Sequence, residues 1–199
     1  MRYHRGDIVE RAIEVLDQYG LADLTMRRLG SELGVQPSAL YHHFANKQSL
    51  LGAVADELLA RGLRPPVEGP WDDQVQAVCV QLRDAMLAWR DGAELVATVH
   101  AFGLGARAAY DAMVGALADS GLPDQMVPTA ARALLHLVFG HTAEEQTQLQ
   151  ASSVGAIDLA PSESSDFTDS LALLLDGIRV RVSPGAPRRR AAPRAAPPR

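Results

Sequence analysis

Apolar residues recur at helical spacing along almost the whole chain. Between Asp7 and Tyr19 they fall at Ile8, Val9, Ala12, Ile13 and Leu16, a single stripe that predicts an amphipathic helix. Gly20 then supplies a stop, since glycine tolerates the left-handed backbone that ends helices. Thr25 stands where an N-cap is needed for a short helix from Met26 to Leu33, with Leu29 and Leu33 on its inner face. Gly34 interrupts again, and Pro37 suits a first helical turn, where its missing N–H is harmless. A third short helix is therefore predicted from Pro37 to His43. Asn46 caps a fourth, whose stripe runs Leu50, Leu51, Val54, Ala55, Leu58 and Leu59.

Residues 64–70 hold three prolines and cannot be helical, so they read as a connector. Beyond them the pattern predicts helices over about 71–90, 93–103, 106–120, 124–150 and 166–182, with a serine-rich loop over 151–165. The last helix carries Leu171, Leu174, Leu175, Ile178 and Val182 along one side, a stripe expected to be covered by a second copy of the chain. No stretch alternates with the period of a strand, and no repeat is visible. The expected fold class is all-α. A three-helix unit occupies 1–47, a connecting helix 48–64 and a larger helical unit 65–182. A Pro/Ala/Arg tail over 183–199 is expected to be disordered.

Composition narrows the class. Hydrophobic residues make up 47% of the 199, which suits a globular chain. There is no run of about twenty apolar residues, so no membrane span is expected. The N-terminal arginines are followed by a charged helix and not by the apolar core of a secretory signal. The single cysteine, Cys79, cannot form an internal disulfide, and a cytoplasmic location is expected. A net charge of −5 looks wrong for a nucleic-acid binder, but its distribution matters more than its sum. Residues 1–64 hold eight basic and eight acidic side chains, 65–182 hold six and sixteen, and 183–199 hold five arginines and no acid. The middle of the chain is thus a poor phosphate binder, whereas the N-terminal unit suits one if its basic residues share a face.

The N-terminal unit supplies such a face. Two short helices joined by a glycine-containing turn make a helix-turn-helix, whose second helix offers its N-terminal residues to the major groove. Pro37, Ser38 and Ala39 are small enough to let the backbone approach, and Ser38 can hydrogen-bond. Tyr41, His42 and His43 can reach phosphates or bases. Lys47, the only lysine, opens the next helix, where the N-terminal dipole assists a phosphate contact. Arg27 and Arg28 begin the second helix. Spacing alone fits equally a pair of core helices in some other all-α protein.

The stretch from Leu24 to Leu51, LTMRRLGSELGVQPSALYHHFANKQSLL, resembles the DNA-binding signature of the TetR family of bacterial regulators. The shared positions centre on Gly34, Val35, Leu40, Tyr41, Phe44, Asn46, Lys47, Leu50 and Leu51. The resemblance implies that Tyr41 and Lys47 grip phosphates and that Arg27, Pro37, Ser38, Ala39 and His42 lie nearest the bases. Leu40 and Phe44 then belong to the core, and His43 to either role. It also implies a homodimer on palindromic operator DNA, a small-molecule effector and, as the commoner role, repression.

Three later stretches are similar to the tetracycline-repressor subfamily: Trp71 to Asp73, Arg90 to Ala93, and Gly140 to Gln146. By that alignment Leu63 and Val96 replace pocket histidines, the second a magnesium ligand, and Val78 replaces an asparagine that recognises the antibiotic. Only Glu144 keeps its counterpart's polar character. Magnesium needs hard polar ligands, so these changes argue against a metal chelate and for a hydrophobic organic effector. The expected wall is Val78, Leu82, Met86, Val96, Val99, Phe102, Met113 and Leu117, with Leu63 beside it and His100 and Glu144 as polar anchors. Each apolar residue fits plain core equally well. His100, His136 and His141 show no metal spacing, so no metal or cofactor is expected. Trp71 and Trp89 are expected to pack helices together.

Two other functions are disfavoured. Against a helical enzyme, no nucleophile–base pair and no phosphate-cradling glycine loop is evident, and Cys79 sits in an apolar stripe. Against a ligand-binding module that has lost DNA binding, Arg27, Arg28, Tyr41 and Lys47 are all intact. The arginine tail adds nonspecific phosphate attraction or is a neutral appendage.

Overall fold

A computed structural model of the chain describes residues 3–66, 68–158 and 166–182. The tail over 183–199 and part of the serine-rich loop lie outside the described residues. Everything described is helix, turn or loop, with no strand among the described residues. The first helix, α1, spans Arg5–Tyr19 and buries Ile8, Val9, Ala12, Ile13 and Leu16, the predicted stripe. The next, α2, spans Met26–Leu33 and is capped by Thr25, whose Oγ1 accepts the Arg28 N–H at 3.1 Å. The third, α3, is only Pro37–Leu40, shorter than the predicted run to His43. The N–H groups of His43 and Phe44 both close onto the Leu40 carbonyl, at 2.9 and 3.0 Å. That tight turn delivers Phe44, fully buried, to the core of the small unit.

The fourth helix, α4, spans Lys47–Gly62, capped by Asn46, and packs on both halves of the molecule. Its partners are α1 on one side and, on the other, α5 (Trp71–Leu87), α6 (Gly92–Ala101) and α7 (Arg107–Leu117). A short 3-10 turn, Asp124–Met126, leads into α8, Val127–Ser153, and α9 spans Phe167–Arg181. The buried apolar residues form one continuous cluster from α1 to α9, so the two units share a core through α4.

Specific contacts fix how α4 sits. A Cβ on Gly52 would lie 2.3 Å from the Leu104 carbonyl oxygen, so the turn between α6 and α7 rests directly on the α4 backbone. Asp56 Oδ1 accepts the Ala106 N–H at 2.7 Å and holds that alanine in the left-handed region, φ 57°. Such a conformation is strained for a residue with a Cβ. Arg61 pairs with Glu10 of α1 and with Glu57, and lies 5.6 Å from the centre of the Trp89 ring.

The α9 stripe is a correction to the sequence reading. Leu171, Leu175 and Ile178, expected to wait for a second copy, are already buried within the protomer. The start of α9 is held down by Phe167, edge-on to His141 at 5.2 Å, and by Asp166, 2.8 Å from His141 Nε2. Its end is held by Arg179, whose Nη2 reaches Asp72 at 2.7 Å. The apolar residues left outward are instead Leu173, 75% exposed, and Val180, 84% exposed.

Candidate nucleic-acid interface and effector cavity

The candidate reading head is built from α2, α3 and the start of α4. Gly34 ends α2 in the left-handed region, φ 66°, and the Val35 N–H returns to the Gly30 carbonyl at 2.9 Å. Gly30 is the residue the sequence reading missed. A Cβ there would lie 2.9 Å from the Val35 carbonyl oxygen and 3.3 Å from the Pro37 nitrogen, so α3 can cross α2 this closely only over glycine. Its signal was a second glycine four residues before the turn.

Around this crossing Arg27, Ser38, Tyr41 and His42 are exposed, and Pro37, Ala39, His43 and Lys47 are half-buried. Tyr41 keeps half its surface in solvent although it follows a buried leucine. Lys47 is the first residue of α4, where unpaired backbone N–H groups add to its charge. Arg28 is placed differently. Its guanidinium lies 3.5 Å from the centre of the Tyr19 ring, 3.8 Å from Asp23, and its Nε is buried without a partner. That side chain braces α1 against α2 and is not free beside Arg27. Tyr3 and Arg5, not foreseen as contributors, steady the head. The Tyr3 hydroxyl donates to the Leu33 carbonyl at 3.0 Å. Arg5 covers the Phe44 ring and donates to the His43 carbonyl, also at 3.0 Å.

The head is tied to the second unit at the corner between α5 and α6. Asp91, at φ 55°, accepts the Leu21 N–H at 2.7 Å through one oxygen and Gln150 Nε2 at 2.8 Å through the other. Arg90 donates to Asp17 and to the Gln18 carbonyl. Buried Gln146 fastens the same corner to α8, accepting from Ala93 at 3.0 Å and donating to the Trp89 carbonyl at 2.9 Å. The stretches Arg90 to Ala93 and Gly140 to Gln146, singled out in the sequence, therefore meet at this joint.

A cavity of about 400 Å³ lies between the end of α4, α5 and α7. Leu63 and Val78 line it, with Pro65, Pro66, Ala77, Ala112, Gly115 and Ala116 in the rest of the apolar wall and Arg64, Gln74, Gln81 and Asp111 as its polar lining. The remaining expected wall residues lie elsewhere. Leu82, Met86, Val96, Val99, Met113 and Leu117 are fully buried core. His100 lies edge-on to Phe139 at 5.2 Å and borders a separate open depression with Arg107 and Tyr110. Phe102 is 66% exposed, because it caps α6 where the chain turns outward at Gly103. Glu144 is exposed on α8, away from the cavity. The alanines Ala112 and Ala116 were missed because small residues on a helix carry no sign of the space beside them.

The family description "Bacterial regulatory proteins, tetR family" matches residues 8–54, and "Tetracyclin repressor-like, C-terminal domain" matches residues 65–165. The chain is 32% identical to the class C tetracycline repressor protein of Escherichia coli, over 82% of this chain and 76% of that protein. The chain belongs to the TetR family. As a member of that family it is a transcriptional regulator and not an enzyme. Among solved structures it is similar to BioQ with its double-stranded DNA operator, at 40% identity and TM-score 0.80, over 89% of this chain and 99% of that one. It is also similar to a variant of TetR from Acinetobacter baumannii AYE in complex with minocycline. There the identity is 30% and the TM-score 0.71, over 92% of this chain and all of that one.

Proposed function

We propose that this TetR-family regulator is a ligand-responsive repressor that binds palindromic operator DNA as a homodimer and is released by a small, hydrophobic organic effector. It acts in the cytoplasm. Residues 1–47 form the reading head, 48–64 the connecting helix and 65–182 the effector and dimerisation unit. The observation that carries this reading is the single helix α4, with Lys47 at one end and the cavity residue Leu63 just past the other. Arg27, Ser38, Tyr41 and His42 are exposed for contact with bases and backbone, and Lys47 opens α4. Likeness to BioQ on its DNA operator supports the DNA half of this reading, and likeness to the minocycline-bound TetR variant supports the effector half.

A magnesium–tetracycline chelate does not fit. Leu63 and Val78 offer no oxygen or nitrogen, Val96 is sealed in core, and among the described residues no three metal-ligating side chains converge. Assembly uses the outward faces of α8 and α9, where Leu173, Gly177 and Val180 share one side and Gly140 leaves open space for close approach. The function is tested by mobility shift of the chain's own upstream region, with release followed against a panel of apolar organic compounds. Failure to bind any part of that region, by a protein that sediments as a folded dimer, overturns it.

A further inference from the structure

The geometry of the cavity mouth points to a carboxylate. We propose that the effector is an amphipathic anion. Its apolar body lies against Leu63, Val78, Ala112 and Ala116, and its headgroup sits on Arg64 beside Gln81. The inference rests on the reading of this cavity as the effector site.

Arg64 stands two residues beyond α4 and immediately before Pro65 and Pro66. A residue preceding proline is driven into extended backbone, so the position is stiff without any ligand. Its N–H donates to Gln81 Oε1 at 2.9 Å, which also fixes the Gln81 amide and leaves that group's two donors at the cavity edge. The guanidinium turns back over the end of α4, with Nη1 donating to the Arg61 carbonyl at 2.7 Å. A cation is favoured at a helix C-terminus, so the charge has a reason to stay there. No carboxylate pairs with it among the described residues, as none does with Arg27 or Arg90, whereas its helix neighbour Arg61 is held by Glu10 and Glu57. Asp111, the one acid at the edge, is directed to Arg107 at 3.6 Å. A guanidinium held by backbone carbonyls alone, on a residue that lines an apolar cavity, is free to exchange those bonds for a planar carboxylate headgroup.

Coupling follows from the same placement. A ligand that draws Arg64 toward the cavity loosens its hold on the α4 carbonyls and so acts on the helix that begins at Lys47. A ligand shifts the equilibrium only by its different affinity for the two arrangements, and the Arg64 contact supplies such a difference.

The test compares three probes of equal chain length, decanoate, decanamide and decanol, by calorimetric titration of the full-length dimer. Decanoate is expected to bind at least about tenfold more tightly than the amide or alcohol, and Arg64→Gln to shrink that gap to about twofold. Because Arg64 is exposed, this variant should fold normally. Equal binding of acid and amide, or a preference that survives Arg64→Gln, overturns the carboxylate assignment and leaves the cavity standing. Ala112→Trp fills the apolar wall and should abolish all three. If none of the probes binds the wild type, or if a folded Ala112→Trp protein binds as before, the cavity reading fails and the carboxylate assignment with it.

Discussion

Lys47 combines two sources of positive potential, its own ammonium and the N-terminus of α4. Lys47→Ala should therefore weaken operator and non-operator duplexes alike and lower the salt slope of binding by about one. A variant that keeps the wild-type slope would remove the phosphate role. Gly30→Ala should act on stability instead, because its Cβ would meet backbone atoms that cannot yield. A loss of about 1–3 kcal/mol is expected, visible as a lower melting temperature. Cys79 offers a third check. Burial pushes its thiol from the ordinary 9.0 up to about 12, so the native protein should resist alkylating reagents that label it at once in denaturant. The contribution of the buried neutral thiol to stability is intact below about pH 9 and is lost as pH rises toward 12. At this scale the sequence revealed residue types but not their partners. Arg27 and Arg28 are indistinguishable in the sequence, and only the fold shows that one faces solvent while the other stacks on Tyr19.

Helix identity followed from periodicity almost everywhere, because each helix buries one face in a shared core. The α2 bounds emerged as predicted, since Thr25 and Gly34 both carry local chemistry that ends a helix. The helix α3 was predicted too long because its end is set by Phe44 reaching the core, a tertiary demand with no local marker. The α9 stripe was correctly located but assigned to the wrong neighbour: periodicity reveals that a face is buried and not what buries it. Asp91 forms the corner between α5 and α6 in the left-handed region. Its carboxylate is the only described side chain hydrogen-bonded to both the α1–α2 loop and α8. Asp91→Ala removes both acceptor oxygens and puts a plain Cβ at φ 55°. Amide exchange over residues 17–24 should accelerate severalfold in that variant, whereas Asp91→Asn, which tolerates the left-handed backbone and keeps one acceptor, should show a smaller change. Unchanged exchange in Asp91→Ala would mean that the head is held elsewhere.

On the function proposed above, an effector in the cavity changes the spacing of the two heads of a dimer. The α4 helix is the common member: it shares core with α1, carries the α6–α7 turn flush against Gly52, and ends beside the cavity. A motion of that turn cannot be absorbed locally, since Leu104 rests on the α4 backbone and Asp56 holds Ala106. On the proposed reading such a motion carries α4, and with it Lys47. In a dimer joined through α8 and α9 the two α4 helices would then swing relative to one another and leave successive major grooves. Two outcomes test this. Leu173→Asp places a charge on the outward face of α9 while sparing the buried stripe, so it should yield a folded monomer with much weaker operator binding. A dimer by sedimentation in that variant would exclude this face. The second concerns which ligand drives the swing. Tetracycline brings magnesium, and magnesium demands oxygen-rich, near-octahedral coordination. At Leu63 and Val78 the cavity provides hydrocarbon alone, and Val96 is not at its surface. Titration of the protein–operator complex with tetracycline should therefore cause no release, with or without magnesium. Release at micromolar tetracycline that also requires magnesium would mean that the effector site lies outside this cavity and that α4 answers to a different trigger.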